Sequence, residues 1–326
     1  MPRRKGLTKT GDLFMNHLAY FGFNDDPFRM TPDRDFFYAS GNHTSLAETI
    51  KFGLKQGDGF IIALGEVGTG KTMLLRMLMG ELDLEFETAF LVSPHLTPKQ
   101  LLLAILCDIG LEERGHSRMS LDHLLRILNN YLFTLSKKGK RLLIIIDEAQ
   151  NLPDESIEQL RLLSNFESDK SKWLQIILVG QPELKVKVEQ KHLRQLLQRV
   201  TVMETLYPLT EKEMALYVHF RLNKAGRGDL RLDKKARREL WRYSGGVPRL
   251  INKLMSRVLL VSYARQGDFN RKVILEAAES LHLKKKGWFG KLSSGRWFIP
   301  LAAALLIALS FIVTRPHELF LTWLER

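Results

Sequence analysis

"FIIALGEVGTGKTMLLRMLMGEL", residues 60–82, decides the fold. Its first five residues are an unbroken apolar run, which predicts a buried strand, and its last ten have the composition of a helix. Between them GEVGTGKT (65–72) satisfies G-x-x-x-x-G-K-[ST], the spacing of a phosphate-gripping loop, in the strand, loop and helix setting that the motif needs. The glycines allow a tight backbone path that turns successive N–H groups toward phosphate oxygens, and the following helix presents its positive end to the same anion. Gly65, Glu66, Val67, Gly68, Thr69 and Gly70 are therefore expected to cradle phosphates, Lys71 to reach the β/γ oxygens and Thr72 to ligate Mg²⁺.

Such a loop needs a second half, and LLIIIDEAQ (142–150) has the right character. A fully apolar strand here delivers Asp147 and Glu148 to the C-terminal edge of a sheet, where ligands of open α/β sheets bind. Asp147 suits the magnesium shell, and Glu148 is the natural general base for an attacking water. Further strands are expected at 88–93 (TAFLVS), 174–179 (LQIILV) and 200–206 (VTVMETL), separated by helical stretches, which predicts a mostly parallel five-stranded sheet. ILVGQPEL (177–184) ends the fourth strand with Gln181, either a side-chain amide placed to sense a γ-phosphate or part of a plain turn. LRQLLQRV (193–200) offers Arg194 and Arg199, as a finger reaching a neighbouring subunit's nucleotide or as part of a solvated basic helix.

After Pro208 the strands stop. Helices are expected to begin near Thr210, Asp233, Val247 and Asn270, with TEKE (210–213) at capping-box spacing, forming a small helical domain that ends near Leu283. GGVPRLINKLMSRVL (245–259) starts one of these helices at Pro248 and places Arg249 in its first turn, able to face back toward the phosphates. The expected organisation is a disordered or mis-assigned start over 1–14, with Met15 as an alternative beginning; an α/β domain over 15–207; a helical lid over 208–283; a basic linker over 284–296; a transmembrane helix over 297–314; and a short extracytoplasmic tail over 315–326.

With 45% hydrophobic and 26% charged residues, the 326-residue chain has the composition of ordinary globular domains, which argues against general disorder. Its net charge of +13 is concentrated in part at the start of the chain and in KKKGWFGKLSSGR (284–296). The single cysteine, Cys107, cannot form an intramolecular disulfide and lies in LLLAILCDIG (101–110), so a buried inert thiol in a reducing compartment is expected. No apolar signal core follows the basic start, so the nucleotide-binding part is expected in the cytosol. Trp297–Val313 carries no charge over seventeen residues, at the short end of what crosses a hydrocarbon core of about 30 Å. The basic residues before it argue that this flank stays cytoplasmic, and Pro300 falls in the first turn, where its missing N–H does no harm.

The order GEVGTGKT, LLIIIDEAQ, LVGQPEL, QRV and GGVPR, preceded by FGFNDDPFRMTPDRDFFYASGNHTSLAETIKFGL (21–54), resembles the AAA+ ATPases and specifically the general secretion pathway protein A group. The resemblance runs over about residues 18–283 and implies a sheet of strand order 5-1-4-3-2 with ATP and Mg²⁺ held between sheet and lid. It makes Lys71 and Thr72 the Walker A residues, Asp147 and Glu148 Walker B, Gln181 sensor 1, Arg249 sensor 2 and Arg199 the preferred finger of a homo-oligomer. It further implies an inner-membrane, single-pass protein that works on envelope secretion or pilus assembly proteins. The longest relatives continue past the membrane into a peptidoglycan-binding domain, whereas twelve residues follow Thr314 here, so a relative of the mannose-sensitive pilus biogenesis type fits equally well.

The rival reading is a DNA-associated helper ATPase of the transposition type. Arg221–Arg242 holds nine basic and three acidic residues, which either track a phosphate backbone or solvate the lid helices. A nucleotide-dependent scaffold that turns over slowly is a third.

Overall fold

The apolar runs form one parallel sheet in the computed structural model, which describes residues 17–82, 85–92, 95–111, 119–168, 171–267 and 269–285. The strands are β1 (Phe60–Gly65), β2 (Phe86–Val92), β3 (Arg141–Asp147), β4 (Leu174–Gly180) and β5 (Val200–Leu206). Their spatial order is β2-β3-β4-β1-β5, the expected 5-1-4-3-2 read from the other edge. β1 and β4 are buried throughout and β3 in all but its first residue, which is why these three read as continuous hydrophobic runs. Edge strand β2 begins two residues earlier than its apolar run, at Phe86. The register sets Leu64 beside Gly180 and Val92 beside Asp147, so the strands finish level and present their last residues along one edge.

Alternate side chains of the sheet feed two cores. Ile61, Ala63, Leu143, Ile145, Ile177 and Val179 face helices α1 (Gly41–Gln56) and α2 (Lys71–Leu82). Phe60, Ile62, Leu64, Ile144, Ile146 and Leu178 face α3 (Pro98–Asp108), α4 (Leu121–Lys137) and α5 (Asp154–Leu163). Truncating a central side chain such as Ile144 to Ala is expected to cost about 2–5 kcal/mol. Local chemistry sets the helix ends: Ser40 caps α1 and Gly57 closes it in the left-handed region at φ 83°, while Thr97 and Gln100 make a reciprocal capping box on α3.

Cys107 departs from expectation. Helix α3 buries Leu101, Leu102, Ile105 and Leu106, and position 107 falls off that stripe, leaving the thiol exposed. An apolar run does not say which face of its helix meets the core.

Two short helices, α6 (Pro182–Val188) and α7 (Arg194–Leu197), lie between β4 and β5. The lid follows as α8 (Glu211–Lys224), α9 (Lys234–Ser244), α10 (Pro248–Arg265) and α11 (Arg271–Ser280), which start at the positions expected from the sequence; the side chains of Thr210, Asp233 and Asn270 cap α8, α9 and α11, while α10 opens on Pro248 after Val247 with no side-chain cap. Its core contains Met214, Val218, Leu240, Ile251, Met255 and Ile274, and also Phe21, Phe23, Phe28 and Phe36 from the start of the chain. Those aromatics, grouped by sequence with the α/β domain, pack instead among the lid helices. Arg221 fixes them: it is buried, donates to the Pro27 carbonyl and to the Tyr217 hydroxyl at 2.9 Å, and sits 5.1 Å from the Phe36 ring centre. It therefore does not belong to a solvent-facing basic stripe.

The described residues up to Leu283 form one compact unit, and Lys284 and Lys285 fall outside it. The expected disordered start, most of the basic linker, the transmembrane helix and the tail lie outside the described residues. Among the described residues no helix is long and apolar enough to cross a membrane.

Candidate active site

Gly65 ends β1 and Lys71 begins α2, so the loop between them turns at the C-terminal edge of the sheet. Two of its glycines hold backbone conformations and close approaches that a side chain would strain. Gly68 has φ 79°, and a Cβ there would lie 2.5 Å from the Cβ of Arg249; Gly70 has φ 106°, and a Cβ would lie 2.9 Å from His43 Nε2. The Lys71 amine donates to the carbonyls of Gly65 at 2.7 Å and Glu66 at 3.1 Å, folding back over the loop. Burial lowers its pKa from the ordinary lysine value, and the carboxylates of Glu148 and Asp147 pull the other way.

Thr72 Oγ1 donates to Asp147 Oδ2, and Asp147 Oδ1 accepts from the Glu148 amide at 3.0 Å. A hydroxyl and a carboxylate are hard oxygen donors of the kind that hold Mg²⁺, an ion that takes few protein ligands and completes its shell with phosphate and water. Glu148 itself sits at φ 55°, an uncommon conformation for a non-glycine residue, at the turn that follows β3. Its Oε2 accepts from Gln150 Nε2 at 2.6 Å and Gln181 Nε2 at 2.9 Å. Burial works to raise this carboxyl, but the two amides and the Lys71 ammonium outweigh it and hold the group below the usual carboxylate range.

A cavity of about 410 Å³ opens beside these groups, inside the range of about 300–1,000 Å³ common for small-molecule sites. Gly68, Gly70, Lys71, Thr72, Glu148 and Arg249 line it at the loop, and Met30, Tyr38, Leu209, Tyr217 and Asn252 line it elsewhere. Asp147 is joined to it through Thr72. Arg249 is exposed, and its backbone amide donates to the Gly68 carbonyl at 3.2 Å. Gln181 contacts Glu148 and also donates its backbone amide to Gln150 Oε1 at 3.1 Å. Arg199 points elsewhere, donating to Ser164 Oγ at 2.7 Å, and Arg194 is exposed on α7; neither lines the cavity.

Sequence reasoning passed over three contributors. Gln150 was visible inside LLIIIDEAQ, yet only the fold shows its amide bridging Glu148 and Gln181. His43, buried in α1, places Nε2 3.1 Å from the Thr69 carbonyl and Nδ1 2.7 Å from Ser40 Oγ. A carbonyl only accepts, so Nε2 carries the proton and Nδ1 accepts from the serine. Burial holds this imidazole below its ordinary pKa, against the Thr69 bond and the Glu213 charge. The third is the pair Tyr217 and Asn252, hydrogen-bonded at 2.7 Å on the lid side of the cavity.

The sheet order, the loop and the cavity define a P-loop ATPase of the AAA class. Residues 54–187 match the AAA domain family. The chain belongs to the AAA ATPases, and it is 38% identical over 298 residues to general secretion pathway protein A of Aeromonas hydrophila, an alignment covering 90% of this chain and 53% of that protein. The chain thus spans about half the length of the curated relative it matches. Among solved structures it is similar to Cdc6p from Pyrobaculum aerophilum, at a TM-score of 0.61 and 15% identity over 79% of this chain and 71% of that one. It is also similar to the Aeropyrum pernix ORC2 protein in its ADPNP-ADP complexes, at 0.59 and 16% over 79% and 73%. Drosophila ORC bound to DNA gives 0.58 and 15% over 87% and 70%. At such identities these likenesses establish the fold alone.

Proposed function

We propose that the protein is an inner-membrane ATPase, anchored once through residues 297–314 with its ATPase domain in the cytoplasm, that hydrolyses ATP to drive assembly of a secretion or pilus machine. The observation that carries the ATP reading is the single cavity lined by Lys71, Thr72, Glu148 and Arg249, with Asp147 bonded to Thr72. The relative's name, general secretion pathway protein A, supports the choice of machine.

In this reading the loop amides hold the phosphates and Lys71 exchanges its carbonyl partners for β/γ oxygens. Thr72 and Asp147 would hold Mg²⁺, which when bound neutralises charge on the β- and γ-phosphate oxygens. Glu148 takes a proton from the water that attacks the γ-phosphorus as the bond to the β,γ-bridging oxygen breaks, releasing ADP and phosphate. Gln181 reports on the γ-phosphate through the same carboxylate. Arg249 carries lid position to the phosphates, and Arg199 serves the site of a neighbouring copy in a homo-oligomer.

The test is steady-state hydrolysis and nucleotide binding on the full chain. Glu148→Gln is expected to keep ATP binding and lose turnover by roughly 10²–10⁴-fold. Turnover at the unaltered rate would refute hydrolysis at this site. Deleting residues 297–326 is expected to leave hydrolysis in place and release the protein from membranes; continued attachment counts against the anchor.

A further inference from the structure

The charge of this chain is divided between its two described parts. Residues 208–285 hold eighteen basic and eight acidic residues, whereas 17–207 hold twenty-two and twenty-five. Part of the lid's surplus is neutralised locally, by Arg227 with Asp229, by Arg242 and Arg271 with Glu239, and by Arg265 with Glu276. Arg231, Lys234, Lys235 and Arg238 are exposed at the start of α9 and have no ion-pair partner among the described residues.

Beside them lies a second cavity, of about 70 Å³, several times the roughly 10–15 Å³ that one water requires. Its floor is Val218, Leu222 and Leu230, and its polar lining is His219, Arg231 and Arg237, with no acidic residue. Two of its nitrogens, His219 Nδ1 and Arg237 Nε, are buried without a hydrogen-bond partner. Buried polar nitrogens without partners are costly, Arg237 Nε can only donate, and a pocket lined by two arginines with no acidic residue suits an anion with several acceptor oxygens.

We infer that this pocket and the basic residues around it bind the phosphate of an anionic phospholipid headgroup, docking the lid on the membrane surface. The choice of lipid as the source rests on the anchored reading above. Eleven residues separate Lys285 from the uncharged stretch that begins at Trp297, a tether no longer than about 40 Å. Each Lys or Arg near an anionic leaflet adds to the attraction. A pocket for one oxyanion, ringed by exposed lysines and arginines, matches a lipid surface better than a nucleic-acid backbone, which is read through a row of phosphates.

The test uses the full chain in lipid nanodiscs and follows hydrogen–deuterium exchange of residues 215–242. Exchange is expected to be several-fold slower in discs containing phosphatidylglycerol than in phosphatidylcholine alone. Arg231→Gln with Arg237→Gln should abolish the difference, and Lys234→Gln, Lys235→Gln and Arg238→Gln together provide a second variant if the first folds poorly. Equal exchange in the two discs, with the chain retained in both, overturns the docking and leaves the anchor standing. A chain held by phosphatidylglycerol discs but lost from phosphatidylcholine discs supports docking and refutes the anchor. Inorganic phosphate or a short DNA duplex producing the same slowing in phosphatidylcholine discs overturns the assignment to lipid.

Discussion

Gln181 Nε2 lies 2.9 Å from Glu148 Oε2, so the residue that follows β4 holds the carboxylate that follows β3. Gln150 holds the same oxygen at 2.6 Å, and together the amides aim Glu148 and favour its ionised form. Both strands must end level for this contact, as their shared register provides.

Replacing both amides, by Gln150→Leu with Gln181→Leu, is expected to raise the Glu148 pKa. Because the native value is depressed, its stabilising contribution is complete above the ordinary glutamate pKa of about 4.3 and is lost as pH falls through the native value. The double variant should lack that contribution, and the acid limb of its pH–rate profile for ATP hydrolysis should move to higher pH. An unshifted limb would remove the amides from any role in tuning Glu148.

His43 supports the loop from behind. His43→Ala leaves the Thr69 carbonyl without its donor, a loss of about 1–3 kcal/mol that should appear as ATP affinity weakened about tenfold, with His43→Gln intermediate. The native imidazole has a lowered pKa, so its neutral form contributes stability above the ordinary histidine pKa of about 6.5, lost as pH falls through the native value. Thermal melts across that interval should fall more steeply for the unaltered protein than for His43→Gln. Parallel slopes would show that His43 is not the titrating group.

Gly246 joins α9 to α10 at φ 75°, and a Cβ there would collide with the Leu209 carbonyl. Gly246→Ala is expected to cost about 3 kcal/mol, from the left-handed backbone and the overlap together. Urea unfolding measures it, and a loss under half that size would mean that the segment relaxes freely.

Arg199 is tied to Ser164 within its own chain. If it serves a neighbouring site, Arg199→Ala should lower turnover about 10³-fold or more while leaving nucleotide affinity unchanged. Mixing it with Glu148→Gln should then recover activity, because some sites combine an intact base with an intact finger. Two inactive variants that stay inactive when mixed would dismiss action between subunits.

The strands were legible because burial on both faces leaves unbroken apolar runs, and the lid helices because their capping residues stand at fixed spacing. Lys71, Thr72, Asp147 and Glu148 could be placed because a strand end followed by a loop has little freedom. The face of α3 that carries Cys107 was not legible, since nine of the ten residues from 101 to 110 give no polar contrast. Nor were the contacts of His43, Gln150 and Arg221, whose partners lie 26, 31 and 194 positions away along the chain. Pairings of that range depend on the assembled packing and leave no local periodic mark.

The amide of Arg249 grips the carbonyl of Gly68, main chain to main chain. Substituting the Arg249 side chain leaves this link in place, whereas a side chain at Gly68 would press on Arg249 and force the two segments apart. Any adjustment of the phosphate loop must therefore either drag the leading end of α10 along or snap a bond. On the proposed reading, nucleotide entering and leaving the pocket would work a lever whose long arm is the whole helical cap.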